Sequence, residues 1–227
     1  KMNNKLNEVV IVAAARTPIG SYKGSLKDIK ADKLGSLVIE EAINRSGIDK
    51  KEVSEVIMGQ VLTAGAGQNP ARQAAINAGL SKSIPAHLVN QVCGSGLRSV
   101  ISGFQSLKLN EAKYLICGGQ ENMSLAPHSL SYRSEKILSE DRLKDTMVYD
   151  GLIDAFNNYH MGVTAENVAE KYNISREEQD NFALKSQIKA QKSLEQNKFN
   201  EEIVKVDSEN VLLEKDEHPR KDLKIED

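Results

Sequence analysis

The chain holds two cysteines, Cys93 and Cys117, and their settings differ. Cys93 follows an apolar run, residues 87–92, and precedes Gly94-Ser95-Gly96, the small-residue opening of a helix-patterned stretch that reaches about Leu109. A thiol placed there faces the orphan N–H groups and the positive dipole end of that helix, which favours the thiolate, the nucleophilic form. The glycines would also let a substrate carbonyl approach the backbone, whose N–H groups would stabilise an oxyanion. Cys117 closes the run Tyr114-Leu115-Ile116 and reads as inert core, the common state of a free cysteine among apolar neighbours. Position alone leaves that same bland reading open for Cys93.

The elements that would carry these residues alternate. An apolar strand over 9–14 leads into the turn Arg16-Thr17-Pro18-Ile19-Gly20. A helix over Ala31–Ser46 follows, with Leu34, Leu37, Val38 and Ala42 at helical spacing and Gly47 as its stop. A second strand is expected over 56–61 and a glycine-rich loop over 63–68. Next comes a short helix with Asn69 as N-cap, Pro70 in its first turn and Gly79 at its end. Strands over 87–92 and 114–117 flank the helix that begins after Cys93. Such alternation implies an α/β fold with a largely parallel sheet under helical cover.

The helix after Cys93 has an apolar face of Leu97, Val100, Ile101, Phe104 and Leu107, as expected of a helix lying on a sheet. Its other positions are mostly small: Ser95, Gly96, Ser99, Ser102, Gly103 and Ser106. Small residues admit another backbone, so the expectation is a helix covered on both sides and central in a layered structure. Beyond Gly119, residues 120–159 lack sustained periodicity and read as loop-like. A helix over 164–172 follows, and then a long one introduced by Ser175-Arg176-Glu177-Glu178, which has capping-box spacing, reaching about Asn197 with a solvated Lys/Glu face. Residues 202–206 are strand-like. Ten of the fourteen residues from Glu214 onward are charged, which reads as a solvated tail.

Composition bounds the function. At 227 residues, with 40% hydrophobic and 27% charged residues, the chain is long enough for a real core and too apolar for disorder. Thirty basic against thirty-two acidic residues give a net charge of −2, without the positive excess that nucleic acid binding requires. No apolar run approaches the roughly 20 residues that span a bilayer, so no membrane partner is expected. The run over 9–15 is followed at once by Arg16 and reads as a buried strand rather than a leader. Two cysteines do not make a disulfide framework; reduced thiols in the cytoplasm are the default.

The residues around Cys93 carry a resemblance. Val89-Asn90-Gln91-Val92-Cys93-Gly94-Ser95-Gly96-Leu97-Arg98-Ser99-Val100 resembles the acyl-enzyme cysteine signature of the thiolases, in particular the biosynthetic acetyl-CoA acetyltransferases. Ala15-Arg16-Thr17-Pro18-Ile19-Gly20, Gly67-Gln68-Asn69-Pro70-Ala71-Arg72-Gln73, Gly118-Gly119-Gln120-Glu121-Asn122-Met123-Ser124 and Tyr159-His160-Met161-Gly162 also resemble thiolase segments, in family order. The resemblance implies a thiolase fold. Residues 1–121 would form the N-terminal layered half, with a mixed, largely parallel sheet and helices on both faces. Residues 122–227 would form part of an inserted loop domain that holds coenzyme A, with the C-terminal half absent from this chain.

By the same resemblance Cys93 takes the acyl group and its backbone N–H contributes to an oxyanion hole, while His160 and Met161 line the pocket near the thioester, as in short-chain members. The family's activating histidine, second cysteine and water-positioning asparagine belong to the other half; His128, His160, His218 and Cys117 do not match them. The implied reaction condenses two acetyl-CoA to acetoacetyl-CoA, reversibly, with coenzyme A thioesters as substrates and no metal or redox cofactor. Self-association as a dimer or tetramer is the further implication. Three other readings stand beside it: a ketoacyl or hydroxymethylglutaryl synthase type of condensing enzyme, a nucleotide-binding module using the loop from Thr63 to Arg72, and a fragment acting only as scaffold.

Overall fold

Strand β1 (Glu55–Gly59) runs between β2 (Ala86–Val89) and β3 (Leu115–Gly119), parallel to both, in a computed structural model that describes residues 8–130, 142–208 and 210–225. The central strand is apolar on both faces because a parallel strand is covered on both. Val56, Ile57 and Met58 are each no more than 1% exposed. Side chains alternate along a strand, so Val56 and Met58 point to one face and Ile57 and Gly59 to the other. On the first face Val56 and Met58 join Ile39 and Ile43 of α1 (Ala31–Ser46) and Ala71, Ala74 and Ala75 of α2 (Pro70–Asn77) in the main core. Each fully buried aliphatic side chain there contributes about 1.5–3 kcal/mol.

The helix boundaries follow their punctuation. Helix α1 ends at Gly47, which takes φ +68° and donates its N–H to the Ile43 carbonyl. Asn69 caps α2 by accepting the Arg72 N–H, with Pro70 in the first turn. Gly79 then turns the chain at φ +80°.

The opposite face of the sheet carries α3 (Ser95–Lys108), and here the expected orientation is reversed. The stripe facing the sheet is the small one: Ser95, Ser99 and Gly103 are buried, whereas Leu97, Val100, Ile101 and Phe104 are exposed. Backbone proximity explains the choice. A Cβ on Gly59 would stand 2.4 Å from the Ser95 carbonyl carbon, and one on Gly103 would stand 2.4 Å from Cys117 Sγ. Ser99 Oγ ties helix to sheet, donating toward the carbonyls of Gly96 (2.7 Å) and Gly118 (2.8 Å). Large side chains cannot enter so narrow a gap, so the apolar face turns outward and stays uncovered among the described residues.

The expected strand over 9–14 does not form. Ile11 is 81% exposed, and only the Arg16 end is paired, bridging Ile203 through Arg16 N–H to Glu202 O and Val204 N–H to Arg16 O. An apolar run supplies propensity, but a strand exists only where a neighbour takes its hydrogen bonds. The strand expected over 202–206 is likewise displaced: β6 (Val206–Ser208) pairs antiparallel with β7 (Val211–Leu213), and this hairpin packs Val206 on Leu26 and Leu34.

Between these lies the loop-like stretch after Gly119. It contains a short hairpin, β4 (His128–Ser129) with β5 (Lys144–Asp145), and helix α4 (Thr146–Gly151). Helix α5 (Met161–Tyr172) starts three residues earlier than its periodicity suggested. Helix α6 (Arg176–Glu195) has the full capping box between Ser175 and Glu178 and buries no residue, as its charged pattern implied. None of the described helices is long and apolar enough to cross a membrane.

The segment expected to be a solvated tail is instead fastened, as far as it is described. The Asp216 side chain is only 6% exposed and accepts two bonds from the Arg16 guanidinium (2.6 and 3.0 Å) and one from the Ile19 N–H (2.8 Å). Glu217 accepts from Ser21 N–H and from the Ser25 N–H and hydroxyl. Counting charges missed this because the two carboxylates meet a loop nearly two hundred residues away in sequence.

Candidate active site

Strand β2 delivers the chain to residues 90–94, a sharp turn with Cys93 exposed on it, and α3 begins at once. Five hydrogen bonds close the turn. Val92 N–H donates to Asn90 Oδ1 (2.9 Å), Gly94 N–H to Gln91 O (3.0 Å), Ser95 N–H to Val92 O (3.1 Å), Gln91 N–H to Ser95 Oγ (2.9 Å), and Ser95 Oγ to Val92 O (2.5 Å). The residue just before the thiol bears the strain: Val92, β-branched, lies at φ +48°. A left-handed conformation in such a residue costs about 1–3 kcal/mol and persists only where its surroundings impose it.

Sequence reasoning placed Cys93 correctly ahead of the helix but missed Val92 and Ser95. No local signal marks a valine for positive φ. The glycines divide their tasks. A Cβ at Gly96 would meet nothing within 4 Å, so that side of the first turn is open, as the approach of a carbonyl requires. Gly59 and Gly119, side by side on β1 and β3, lie directly beneath the helix start: a Cβ on Gly119 would reach the Gly96 Cα at 3.5 Å. They set the height of α3 above the sheet, and through it the height of Cys93.

Cys117 is the contrasting thiol. It sits on β3 beneath Gly103, half-buried, and desolvation pushes its pKa up to about 11, with the nearby Glu55 carboxylate adding to the rise. It stays protonated and unreactive near neutrality, as its apolar run suggested.

Against known proteins, the family model described as "Thiolase, N-terminal domain" matches residues 9–227. The chain belongs to this thiolase family. It is similar to an acetyl-CoA acetyltransferase of Cupriavidus necator, 54% identical over 202 residues, covering 88% of this chain and 51% of that protein. It is similar to another of Pseudomonas aeruginosa, 49% identical over 227 residues, covering 97% and 58%. A probable acetyl-CoA acetyltransferase of Escherichia coli is 50% identical over 226 residues, covering 97% and 58%. The chain thus spans somewhat over half the length of the curated relatives it matches.

The thiolase-like segment around His160 lies at the start of α5. His160 is the N-cap: its Nδ1 accepts the Gly162 N–H at 2.9 Å. With Nδ1 occupied as an acceptor, the neutral tautomer carries its proton on Nε2, a donor. Met161 follows, its N–H bonded to Leu152 O, and the residue is 38% exposed. No hydrogen bond among the described residues joins Cys93 to His160. Two clefts lie elsewhere, one along α1 and α2 by Lys33, Arg72 and Asn77, the other by Gln60, Leu62 and Glu121. In the second, burial pushes the Glu121 carboxyl up, although it accepts the N–H groups of Val61 and Leu62. Neither cleft is lined by Cys93, His160 or Met161.

Proposed function

We propose that this chain carries the acyl-accepting part of an enzyme that condenses two molecules of acetyl-CoA to acetoacetyl-CoA and coenzyme A, and runs the reverse thiolysis. The observation that carries the reading is Cys93, an exposed thiol held on a strained turn at the head of α3 in a chain about half identical to proteins named acetyl-CoA acetyltransferase.

In the first half-reaction the Cys93 sulfur attacks the thioester carbonyl of acetyl-CoA, the bond to the coenzyme sulfur breaks, and coenzyme A departs as the thiol with the proton. Exchange of one thioester for another is nearly balanced in energy, so the step runs either way. The backbone N–H of Cys93 is one oxyanion donor. In the second, the enolate of another acetyl-CoA attacks the acetyl-cysteine carbonyl, a carbon–carbon bond forms, and the Cys93 thiolate leaves. Sulfur donates weakly into a carbonyl, which makes both the acyl carbon electrophilic and the α-proton removable. Binding both thioesters at one site supplies orientation. His160 Nε2–H and Met161 border the thioester end of the pocket, the histidine as donor and the methionine as an adaptable apolar wall for a short acyl chain. The base and the second cysteine come from the part of the relatives' length that this chain does not span.

We place the reaction in the cytoplasm, without metal or redox cofactor, in a dimer or tetramer whose formation light scattering reads directly. Intact protein incubated with labelled acetyl-CoA is expected to carry one acetyl group on the peptide containing Cys93, and Cys93→Ser to lose both the adduct and turnover. An adduct elsewhere, or turnover retained in Cys93→Ser, removes the reading.

A further inference from the structure

Ser95 lies two residues after the reactive thiol, and its side chain turns back onto the two residues that precede that thiol. The hydroxyl is buried, with the residue 4% exposed, and both of its hydrogen-bonding capacities are used backward across the turn rather than along the helix. It accepts from the Gln91 N–H at 2.9 Å and donates to the Val92 carbonyl at 2.5 Å. Gln91 and Val92 are the two residues before Cys93, and Val92 is the one at φ +48°. Ser99, one helical turn on, likewise reaches the carbonyl three residues back, Gly96 O, but its second partner is Gly118 O on the sheet, where that of Ser95 is an amide of the turn.

We infer that Ser95 is a positioning residue for Cys93: its hydroxyl clamps Gln91 and Val92 and thereby holds Val92 in the left-handed conformation that presents the thiol. The inference deepens the proposed function and rests on Cys93 being the acyl acceptor. Without the hydroxyl three bonds of the turn remain, Val92 N–H to Asn90 Oδ1, Gly94 N–H to Gln91 O and Ser95 N–H to Val92 O. Against this weakened restraint a β-branched residue relaxes toward the extended region, because its Cβ substituents crowd the following carbonyl in the left-handed one. That return rotates the peptide plane leading into Cys93 and swings the sulfur away from the head of α3. The clamp is specific to oxygen. The Ser95 Cβ lies directly over Gly59, where a Cβ added to that glycine would come within 2.7 Å of it, so alanine at 95 keeps the packing and deletes only the two hydroxyl bonds.

The test uses intact protein and four forms: wild type, Ser95→Ala, Val92→Asn and the double variant. Asparagine tolerates positive φ far better than valine, so it should hold the turn without the clamp. Two rates are read on the Cys93 peptide, acetylation by acetyl-CoA and alkylation by iodoacetamide, beside the melting temperature. Ser95→Ala is expected to slow both reactions about 100-fold, the scale of a reacting atom displaced by an ångström. The double variant should regain at least about tenfold of that loss without recovering the melting temperature. Ser95→Ala reacting like wild type, or a double variant as slow as Ser95→Ala, overturns the inference. If wild type takes no acetyl group on Cys93 while alkylation still follows this pattern, the acyl-acceptor reading fails and the positioning role of Ser95 stands.

Discussion

At the scale of single residues, the two thiols separate by environment rather than by chemistry. Cys93 is exposed on a turn, and Cys117 lies against Gly103 with its pKa raised by burial to about 11. Near pH 8 roughly a thousandth of Cys117 is ionised, and its access is limited besides. Peptide mapping after iodoacetamide treatment is expected to find Cys93 alkylated far faster than Cys117 at that pH. The Cys117 rate should rise through every unit of pH until about 11. Equal rates would mean that Cys117 is not shielded in solution. The linkage sign follows. A thiol whose pKa is higher folded than unfolded favours folding while it is neutral, so this contribution is complete below about 9 and is lost as pH climbs toward 11.

At the scale of elements, the site depends on how closely α3 approaches the sheet. Gly59→Ala puts a Cβ 2.4 Å from the backbone of Ser95, where neither partner is flexible, so the helix start must lift. The expected outcome is a loss of about 1–3 kcal/mol or more in denaturant unfolding, together with slower alkylation of Cys93. Gly103→Ala meets Cys117 Sγ instead, a side-chain atom. Its cost should be similar alone and should shrink when combined with Cys117→Ala, which a double-mutant cycle measures. Unaltered stability in Gly59→Ala would mean that the helix sits higher than described.

Much of this scale was legible. Gly47, Asn69-Pro70 and the Ser175–Glu178 box fixed three helix ends because capping is local chemistry. The alternation of strands and helices gave the parallel sheet for a different reason: a helical crossover returns the chain to the end of the sheet from which it left. The face of α3 was not legible, because hydrophobicity says which side avoids water and nothing about the width of the gap on either side. The thiol's place before a helix could be read from Cys93-Gly94-Ser95-Gly96; the φ of Val92 could not, since it is imposed by a hydroxyl three residues on. The run over 9–14 satisfied a strand pattern whose partner the pattern could not name.

At the scale of the molecule, the described chain is closed on itself by carboxylates. Arg16 stands at the centre: it pairs with Asp216 and Glu202 and lies 5.1 Å over the Phe199 ring, so that one side chain joins the first loop to two later segments. Burial alone would push the Asp216 carboxyl up. The Arg16 guanidinium and the Ile19 N–H outweigh it and hold the group below the usual carboxylate range, as Ser25 and Ser21 do for Glu217. A carboxylate depressed on folding contributes stability above its unfolded pKa and loses it as pH falls through the folded value. For these two groups the loss therefore begins below about pH 4.5 and continues beneath 3.8, the ordinary values of Glu and Asp. Hydrogen exchange, corrected for its intrinsic pH dependence, should accordingly show the Ile19, Ser21 and Ser25 amides losing protection on acidification before the amides of β1 do, since β1 is held by an apolar core that does not titrate. Asp216→Asn should expose the Ile19 amide already at neutral pH and cost about 1–3 kcal/mol, the scale for hydrogen bonds to a charged group. Simultaneous loss of protection in loop and strand would show that the clasp and the core unfold as one unit, and that the carboxylates do not fasten a separable segment.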